Sequence, residues 1–166
     1  RTYNRHVRLY SPLFLRKILL LAPLPPPLST QNSDQTHNPF FSYMIGFHAE
    51  YTCSRELLQK VSALAHKYET PVFTHIAETA FETEGCRERY GMTPVAFLAS
   101  LGLFDFGGGG YHLVHCTAED IAILKEKKMY AVTNPGSNTK LASGIAPISE
   151  FIKAGVPVAI GTDGPA

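Results

Sequence analysis

One short stretch of the sequence, ETPVFTHIAETAFE (69–82), places an imidazole and a carboxylate close together. His75 ends an apolar run, and Glu78 follows three positions later, where a strand would stop. Imidazole and carboxylate groups are ligands for zinc and other first-row divalent metals, and a carboxylate beside such a metal can shuttle protons. On its own the pair fits a structural histidine and a loop glutamate equally well, so the rest of the chain must decide.

Polar residues also follow four further apolar segments of the chain. They are His48 after YMIGF, His112 and His115 in YHLVH, Asn134 after YAVT, and Asp163 after VPVAIGT. Each one alone is commonly a hydrogen-bonded structural residue or a turn former. Parallel strands, however, present their carboxyl ends at one edge, where sites of such folds assemble. An ion held there by His75 and Asp163 would lower the pKa of a bound water to about 7, and Glu78 could transfer protons without being a ligand.

From residue 41 onward the chain alternates between predicted strands and predicted helices. The strands are SYMIGF (42–47), PVFTH (71–75), YHLVH (111–115), MYAVT (129–133) and VPVAIG (156–161). The helices are SRELLQKVSALAHKYE (54–69), TPVAFLASLG (93–102), TAEDIAILKEKK (117–128) and PISEFIKAG (147–155). Short apolar strands separated by helices are typical of parallel strands buried on both faces. This α/β pattern fits an open doubly wound sheet or part of an eight-stranded barrel, and periodicity does not choose between them.

The composition limits the classes of protein that fit. The chain has 166 residues, enough for one ordinary domain, and 45% of them are hydrophobic while 17% are charged. A formal net charge of +1 argues against a nucleic-acid binder, and no stretch has the length of a membrane-spanning helix. Three cysteines without a C-x-x-C pair suit a reducing compartment, so we predict a cytoplasmic location.

Residues 1–40 differ from the remainder of the chain. They show no sustained period, a proline-rich centre (LPPPL) and a polar tail. Arg16 and Lys17 interrupt the apolar run that a secretory signal would need. We therefore expect a loosely ordered leader over residues 1–40, unrelated to the domain that follows.

Five sequence motifs resemble those of a known protein family. They are FHAEYTCSRELL, THIAETAFE, HLVHCTAED, TNPGSNTKLASGIAPI and AIGTDGPA. In this order they resemble the amidohydrolase superfamily, in the branch of S-adenosylhomocysteine/methylthioadenosine deaminases, guanine deaminases and triazine chlorohydrolases. The resemblance runs from about residue 43 to 166. It implies that residues 41–166 are the C-terminal half of a metal-dependent TIM (β/α)8 barrel, strands four to eight with their helices, with the N-terminal half missing.

The resemblance also implies roles for individual positions. His75 resembles the metal-binding histidine of strand five, and Glu78 the proton-shuttling glutamate of its H-x-x-E motif. His112 resembles the strand-six histidine that orients the attacking hydroxide, and Asp163 the strand-eight aspartate that binds the metal and accepts a proton. His48 resembles a strand-four histidine that contacts the substrate.

The implied function is that of a metal-dependent aminohydrolase. A metal-bound hydroxide would attack an electron-poor ring carbon of a purine or related heterocycle, and ammonia would leave. The implied cofactor is one divalent ion, zinc first, with iron or manganese as alternatives. The segment NPGSN (134–138) would form a wall of the pocket. A competing class, the open-sheet nucleotide binder, would need a G-x-G-x-x-G motif that the sequence lacks.

The sequence departs from the family in two respects. No H-x-H pair, which supplies two more metal ligands in the family, occurs in the chain, and DFGGGGYH (105–112) replaces an apolar strand. We expect the glycine run to be a flexible lead-in, because glycine weakens a strand. With too few ligands, the chain alone should be a poor or inactive catalyst.

A half barrel would also leave strand edges at strands four and eight. Such edges favour a complementing N-terminal half or self-association. The alternative to a fragment of an enzyme is a non-catalytic remnant that acts as a binding or interaction module.

Overall fold

The computed structural model describes residues 19–20 and 44–164 of the chain. Within these ranges the strands are β1 (Leu19–Leu20), β2 (Ile45–Gly46), β3 (Val72–Ile76), β4 (Gly108–His112), β5 (Met129–Thr133) and β6 (Val158–Ile160). The α-helices are α1 (Arg55–Tyr68), α2 (Ala80–Tyr90), α3 (Pro94–Ser100), α4 (Ala118–Glu126), α5 (Pro135–Lys140) and α6 (Ile148–Ala154), and a 3-10 helix covers Glu50–Thr52. Apart from the two residues of β1, the leader predicted for residues 1–40 lies outside the described residues.

The six strands form one sheet in the order β1-β6-β5-β4-β3-β2. Strands β2 to β6 are all parallel, and each lies beside its neighbour in the sequence, whereas β1 pairs antiparallel with β6. A doubly wound sheet reverses its strand order at a switch point, but consecutive parallel strands are the arrangement of a (β/α)8 barrel. The strand order therefore decides between the two architectures that the sequence left open, in favour of a barrel segment.

Hydrogen-bonding side chains begin the helices where the sequence predicted. The hydroxyls of Ser54, Thr93 and Thr117 each accept a backbone N–H from the first turn of α1, α3 and α4. Thr117 and Asp120 complete a reciprocal capping box. The main core lies between the helices and one face of the sheet, and its large fully buried members include Leu58, Ile76, Leu98, Phe104, Leu113, Leu124, Met129 and Phe151.

The glycine run is part of the sheet, so the predicted flexible lead-in is wrong. Gly108–Gly110 are buried in β4, which pairs with β3 on one side and β5 on the other. A Cβ atom on Gly109 would lie 2.5 Å from the Phe73 ring and 3.0 Å from the Tyr130 carbonyl oxygen. The neighbouring side chains occupy the space that β4 leaves open. The strand also ends at His112, three residues earlier than predicted.

Helix α2 is an element that apolar periodicity did not reveal. Its buried residues are Glu82, Thr83 and Cys86. The buried face therefore carries polar side chains and a cysteine, and it lacks the apolar stripe of an amphipathic helix. The Thr79 hydroxyl accepts the Glu82 N–H at its start, and Gly91 ends it in a left-handed conformation. No helix among the described residues is long and apolar enough to cross a membrane.

Candidate metal centre

Three of the predicted site residues converge at the carboxyl edge of the sheet. His75 lies near the end of β3, His112 is the last residue of β4, and Asp163 lies three residues beyond β6. One ligand atom from each lies within 4.8 Å of the other two. Ligands around one zinc ion sit about 2.0–2.2 Å from it, so this spacing is close to what a shared ion requires. Parallel pairing in sequence order produces the convergence, because every strand ends at the same edge.

His75 is oriented by the carbonyl of a neighbouring strand end. Its Nδ1 donates to the His48 carbonyl oxygen at 2.8 Å, and its backbone N–H donates to the same oxygen at 3.0 Å. With the proton on Nδ1, Nε2 carries the free lone pair, which is the usual tautomer of a metal-binding histidine. Burial lowers the pKa of His75, despite the opposing hydrogen bond to the His48 carbonyl. The ring is therefore neutral at neutral pH, as a ligand must be.

His112 is almost fully buried, and an asparagine orients it. Its Nδ1 lies 2.7 Å from Oδ1 of Asn138, and Nδ2 of Asn134 lies 3.4 Å from its Nε2. Because the Asn138 oxygen only accepts, the proton belongs on Nδ1 and Nε2 faces the site. Its φ of 72° lies in the left-handed region, a conformation that non-glycine residues adopt mainly where the surrounding structure imposes it.

Asp163 reaches the same space from the end of β6, whereas His75 reaches it from the end of β3. Its Oδ2 lies 3.8 Å from Nε2 of His112, and its φ of 59° is a left-handed conformation that aspartate tolerates. Burial raises the pKa of Asp163, but the Ser137 side chain, the Gly164 backbone N–H and the two site imidazoles lower the pKa by more. The net pKa lies below the ordinary value, so the carboxylate is charged at neutral pH.

Glu78 lies beside this trio without belonging to it. Its Oε2 is 3.7 Å from Nε2 of His112, and its Oε1 is 3.4 Å from the Ser143 hydroxyl. The side chain is 18% exposed, so it is accessible from the open end of the sheet. This position satisfies the geometric requirement for a proton carrier, which must reach the reacting groups without being a metal ligand.

The remaining two histidines of the edge differ in character. His48 is exposed, with its ring 5.1 Å from the His75 ring and its Nδ1 3.0 Å from the Thr52 hydroxyl. It is therefore available to a molecule entering the site. His115 instead bonds through Nε2 to the Ser143 carbonyl at 3.0 Å, which agrees with a structural role.

The donor set fits a divalent metal ion. It offers neutral imidazole nitrogens and a charged carboxylate, the hydrogen bond from His75 to a carbonyl is already in place, and the side chains come from three different strand ends. His75 and Asp163 would be the ligands, with His112 adjacent.

Three further residues around the centre had no such role assigned from the sequence, which placed Asn138 only in the NPGSN wall of the pocket. Asn138 orients His112, Ser143 contacts Glu78, and Glu82 binds the turn that carries Glu78. Of these three residues, only Glu82 could have been identified from the sequence, because Thr79-x-x-Glu82 has the spacing of a capping box. The other two lie in a segment that shows no periodicity.

Fold and site together define a class of protein: a parallel α/β barrel segment with an imidazole–carboxylate centre at the carboxyl ends of its strands. The chain belongs to the Amidohydrolase family, whose sequence profile matches residues 30–166. This confirms the resemblance drawn from the five motifs.

Several relatives of this chain have names that describe deaminases of adenine nucleosides. A 5-methylthioadenosine/S-adenosylhomocysteine deaminase from Caldanaerobacter subterraneus is 48% identical over 123 residues, which are 74% of this chain and 28% of that protein. A 5'-deoxyadenosine deaminase from Methanocaldococcus jannaschii is 46% identical over 121 residues, 72% of this chain and 29% of the relative. A solved adenosine deaminase from Xanthomonas campestris with bound zinc has a TM-score of 0.72 and 36% identity, over 77% of this chain and 29% of that one. The chain thus spans less than a third of the length of these relatives.

Proposed function

We propose that the chain carries part of the catalytic machinery of a metal-dependent aminohydrolase that removes an amino group from a purine. The observation that carries the proposal is the convergence of His75, His112 and Asp163 at one edge of the sheet, with Glu78 beside them. The names of the relatives favour an adenine nucleoside with a small or thioether group at the 5' position as the substrate.

Each residue then has a defined task. His75 and Asp163 would hold a divalent ion, zinc in preference to iron or manganese, and a bound ion would supply an acidified water as the nucleophile at neutral pH. Glu78 takes one proton from the water and delivers it to the ring nitrogen next to the attacked carbon. Asp163 accepts the second proton of the water and passes it to the amino group, which leaves as ammonia while the ring carbon keeps the oxygen. His112 orients the water, and exposed His48 contacts the substrate.

Full activity requires more than the residues of this chain, because a catalytic zinc usually has three protein ligands and His75 and Asp163 are two. We propose that a polypeptide with the first half of the barrel, or a second copy of the chain, completes the structure. The three cysteines are all free, which supports a reducing compartment such as the cytoplasm.

The experiment is a joint measurement of metal content and ammonia release. The purified chain is loaded with zinc or manganese, and ammonia is measured with adenosine, 5'-deoxyadenosine, methylthioadenosine and S-adenosylhomocysteine. We expect one ion per chain with weak affinity and slow ammonia release. Removing the ion with a chelator should abolish the release. E78Q should retain the ion but lose at least about a hundredfold in rate, as expected for a lost general acid.

Two variants separate a site effect from a general one. H75A should lose the ion, whereas H66A, which removes an imidazole on α1 outside the site, should bind it normally. Equal metal loss in both variants would contradict the assigned centre. Rapid ammonia release by the unaccompanied chain would contradict its incompleteness, and metal binding with no release from any substrate would favour the binding-module alternative.

A further inference from the structure

Glu82 is a buried carboxylate next to the centre that the proposed reaction does not use. It lies in the first turn of α2 and is 2% exposed. Its Oε1 accepts the Ala77 N–H and its Oε2 accepts the Glu78 N–H, both at 2.9 Å. The carboxylate thus holds two consecutive amides of the turn that follows β3. That turn separates His75 from Glu78.

An ordinary helix cap does not account for this arrangement. In a capping box the glutamate of the first turn returns to the backbone N–H of the N-cap residue. Asp120 of α4 does so, since it accepts the Thr117 N–H at 2.9 Å. Glu82 has the same spacing from Thr79, yet its carboxylate reaches one and two residues further back, to Glu78 and Ala77. The helix start is already capped by the Thr79 hydroxyl.

The turn that Glu82 holds has an unusual backbone. Ala77 is fully buried and has a φ of 52°, in the left-handed region that costs a non-glycine residue energy. Its carbonyl accepts the His115 N–H at 2.9 Å. Buried N–H groups need partners, and a turn of this conformation has none within itself. The Glu82 carboxylate supplies the acceptors from outside the turn.

We propose that Glu82 is a positioning residue whose carboxylate fixes the turn after β3 and thereby the place of the Glu78 carboxylate beside the metal centre. The proposal rests on the proposed function, in which Glu78 moves protons. Burying a charged group is unfavourable, and a neutral residue would serve at a helix start that Thr79 already caps. The carboxylate is needed because it alone offers two acceptors to two adjacent N–H groups.

The test compares E82Q with the wild-type chain. Glutamine keeps the shape but can accept one of the two N–H groups, since its amide end is a donor. E84Q is the matched control, because Glu84 is an exposed glutamate of the same helix. Hydrogen exchange at the Ala77 and Glu78 amides is measured in the metal-free chains at one pH. Metal stoichiometry, kcat and KM for ammonia release are then measured with zinc or manganese.

We expect E82Q to exchange the Ala77 and Glu78 amides at least about tenfold faster. We also expect kcat to fall at least about tenfold, with KM and metal stoichiometry unchanged, because misplacing a proton carrier affects the transition state alone. E82D, which restores the charge on a shorter side chain, should recover part of both effects. E84Q should match the wild type throughout.

The outcomes distinguish this proposal from the proposed function. Unchanged exchange of the two amides in E82Q overturns the contact, and faster exchange with unchanged kcat overturns the positioning role. If the wild-type chain binds metal but releases no ammonia, the proposed function fails, and the exchange data then decide alone whether Glu82 holds the turn.

Discussion

At the scale of single residues, the surroundings of His75 and Asp163 shift both groups in the same direction, toward loss of a proton. Burial lowers the pKa of His75, while hydrogen bonds and nearby imidazoles outweigh burial at Asp163 and lower its pKa. Both shifts favour the forms that bind a cation, a neutral imidazole and a charged carboxylate. Both residues are therefore in the protonation states that the proposed metal centre requires.

The pKa of Glu82 shifts upward instead, so the free energy of unfolding depends on its ionisation. Burial raises its pKa from 4.5 to about 7, although the N–H groups of Ala77 and Glu78 oppose the change. A raised folded-state pKa means that Glu82 stabilises the fold most below about pH 4.5, and that this contribution is lost as the pH rises through about 7. The difference corresponds to about 3 kcal/mol.

We therefore expect the free energy of unfolding of the metal-free wild type to fall, relative to that of E82Q, by up to about 3 kcal/mol between pH 5 and pH 8. The reason is that glutamine removes the group that must ionise while buried. Urea unfolding of both chains at several pH values measures the difference. Parallel stability curves for wild type and E82Q would show that Glu82 does not titrate in this range.

At the scale of elements, β4 shows how neighbours can make a strand from a sequence that reads as a loop. Glycine contributes no side chain to a core, and the run of four was predicted to be flexible for that reason. In the sheet, the missing side chain at Gly109 leaves space that the Phe73 ring of β3 occupies. At Gly108 the φ is 135° and a Cβ would meet the Val72 carbonyl oxygen at 1.9 Å.

Gly109→Ala should accordingly lower the free energy of unfolding by about 1–3 kcal/mol, the usual cost of forcing an extra methyl group into a packed interior. Gly136→Ala is the control, because a Cβ there meets nothing within 4 Å and alanine favours the helix α5. We expect Gly136→Ala to be neutral or slightly more stable. Thermal or urea unfolding measures both, and equal stability of the two variants would contradict the packing account.

At the scale of the whole molecule, the described sheet is a barrel segment with a free side. Among the described residues, β2 pairs with β3 alone; the sequence analysis had predicted an unpaired strand at this edge. The edge at β6 is different from the prediction, because β1 pairs with it. A cavity of about 360 Å³ beside β6 has a mainly apolar lining, to which Thr133, Asn138 and Thr139 also contribute. Two of its apolar residues are strongly exposed, Ile145 at 90% and Ile152 at 63%. Unpaired strand edges and apolar surface both favour association.

We expect the chain alone to self-associate as its concentration rises. Adding a polypeptide that carries the remainder of the Caldanaerobacter subterraneus relative, of which this chain matches 28%, should give a defined complex. It should also tighten zinc binding at least about tenfold, because we propose that the first half of the barrel provides the missing ligands. Analytical ultracentrifugation and zinc titration measure these effects. A chain that stays monomeric at all concentrations and gains no affinity would contradict this account.

Much of the fold and site could be predicted from the sequence because local chemistry determines it. Apolar runs, capping residues and the placement of His75 and Asp163 after such runs were enough to indicate parallel strands and a shared edge, whereas the role of His112 came from the family resemblance. The helix starts at Ser54 and Thr117 followed from hydroxyl caps that act within four residues.

Tertiary structure decided what depends on residues distant in the sequence. Barrel-like strand order, the burial of Gly109 under Phe73 and the hydrogen bond from His112 to Asn138 all join separate segments. The acceptor role of Glu82 depends on a backbone turn whose left-handed Ala77 no propensity predicts. Periodicity reports which residues a segment buries, but packing between segments determines which atoms they meet there.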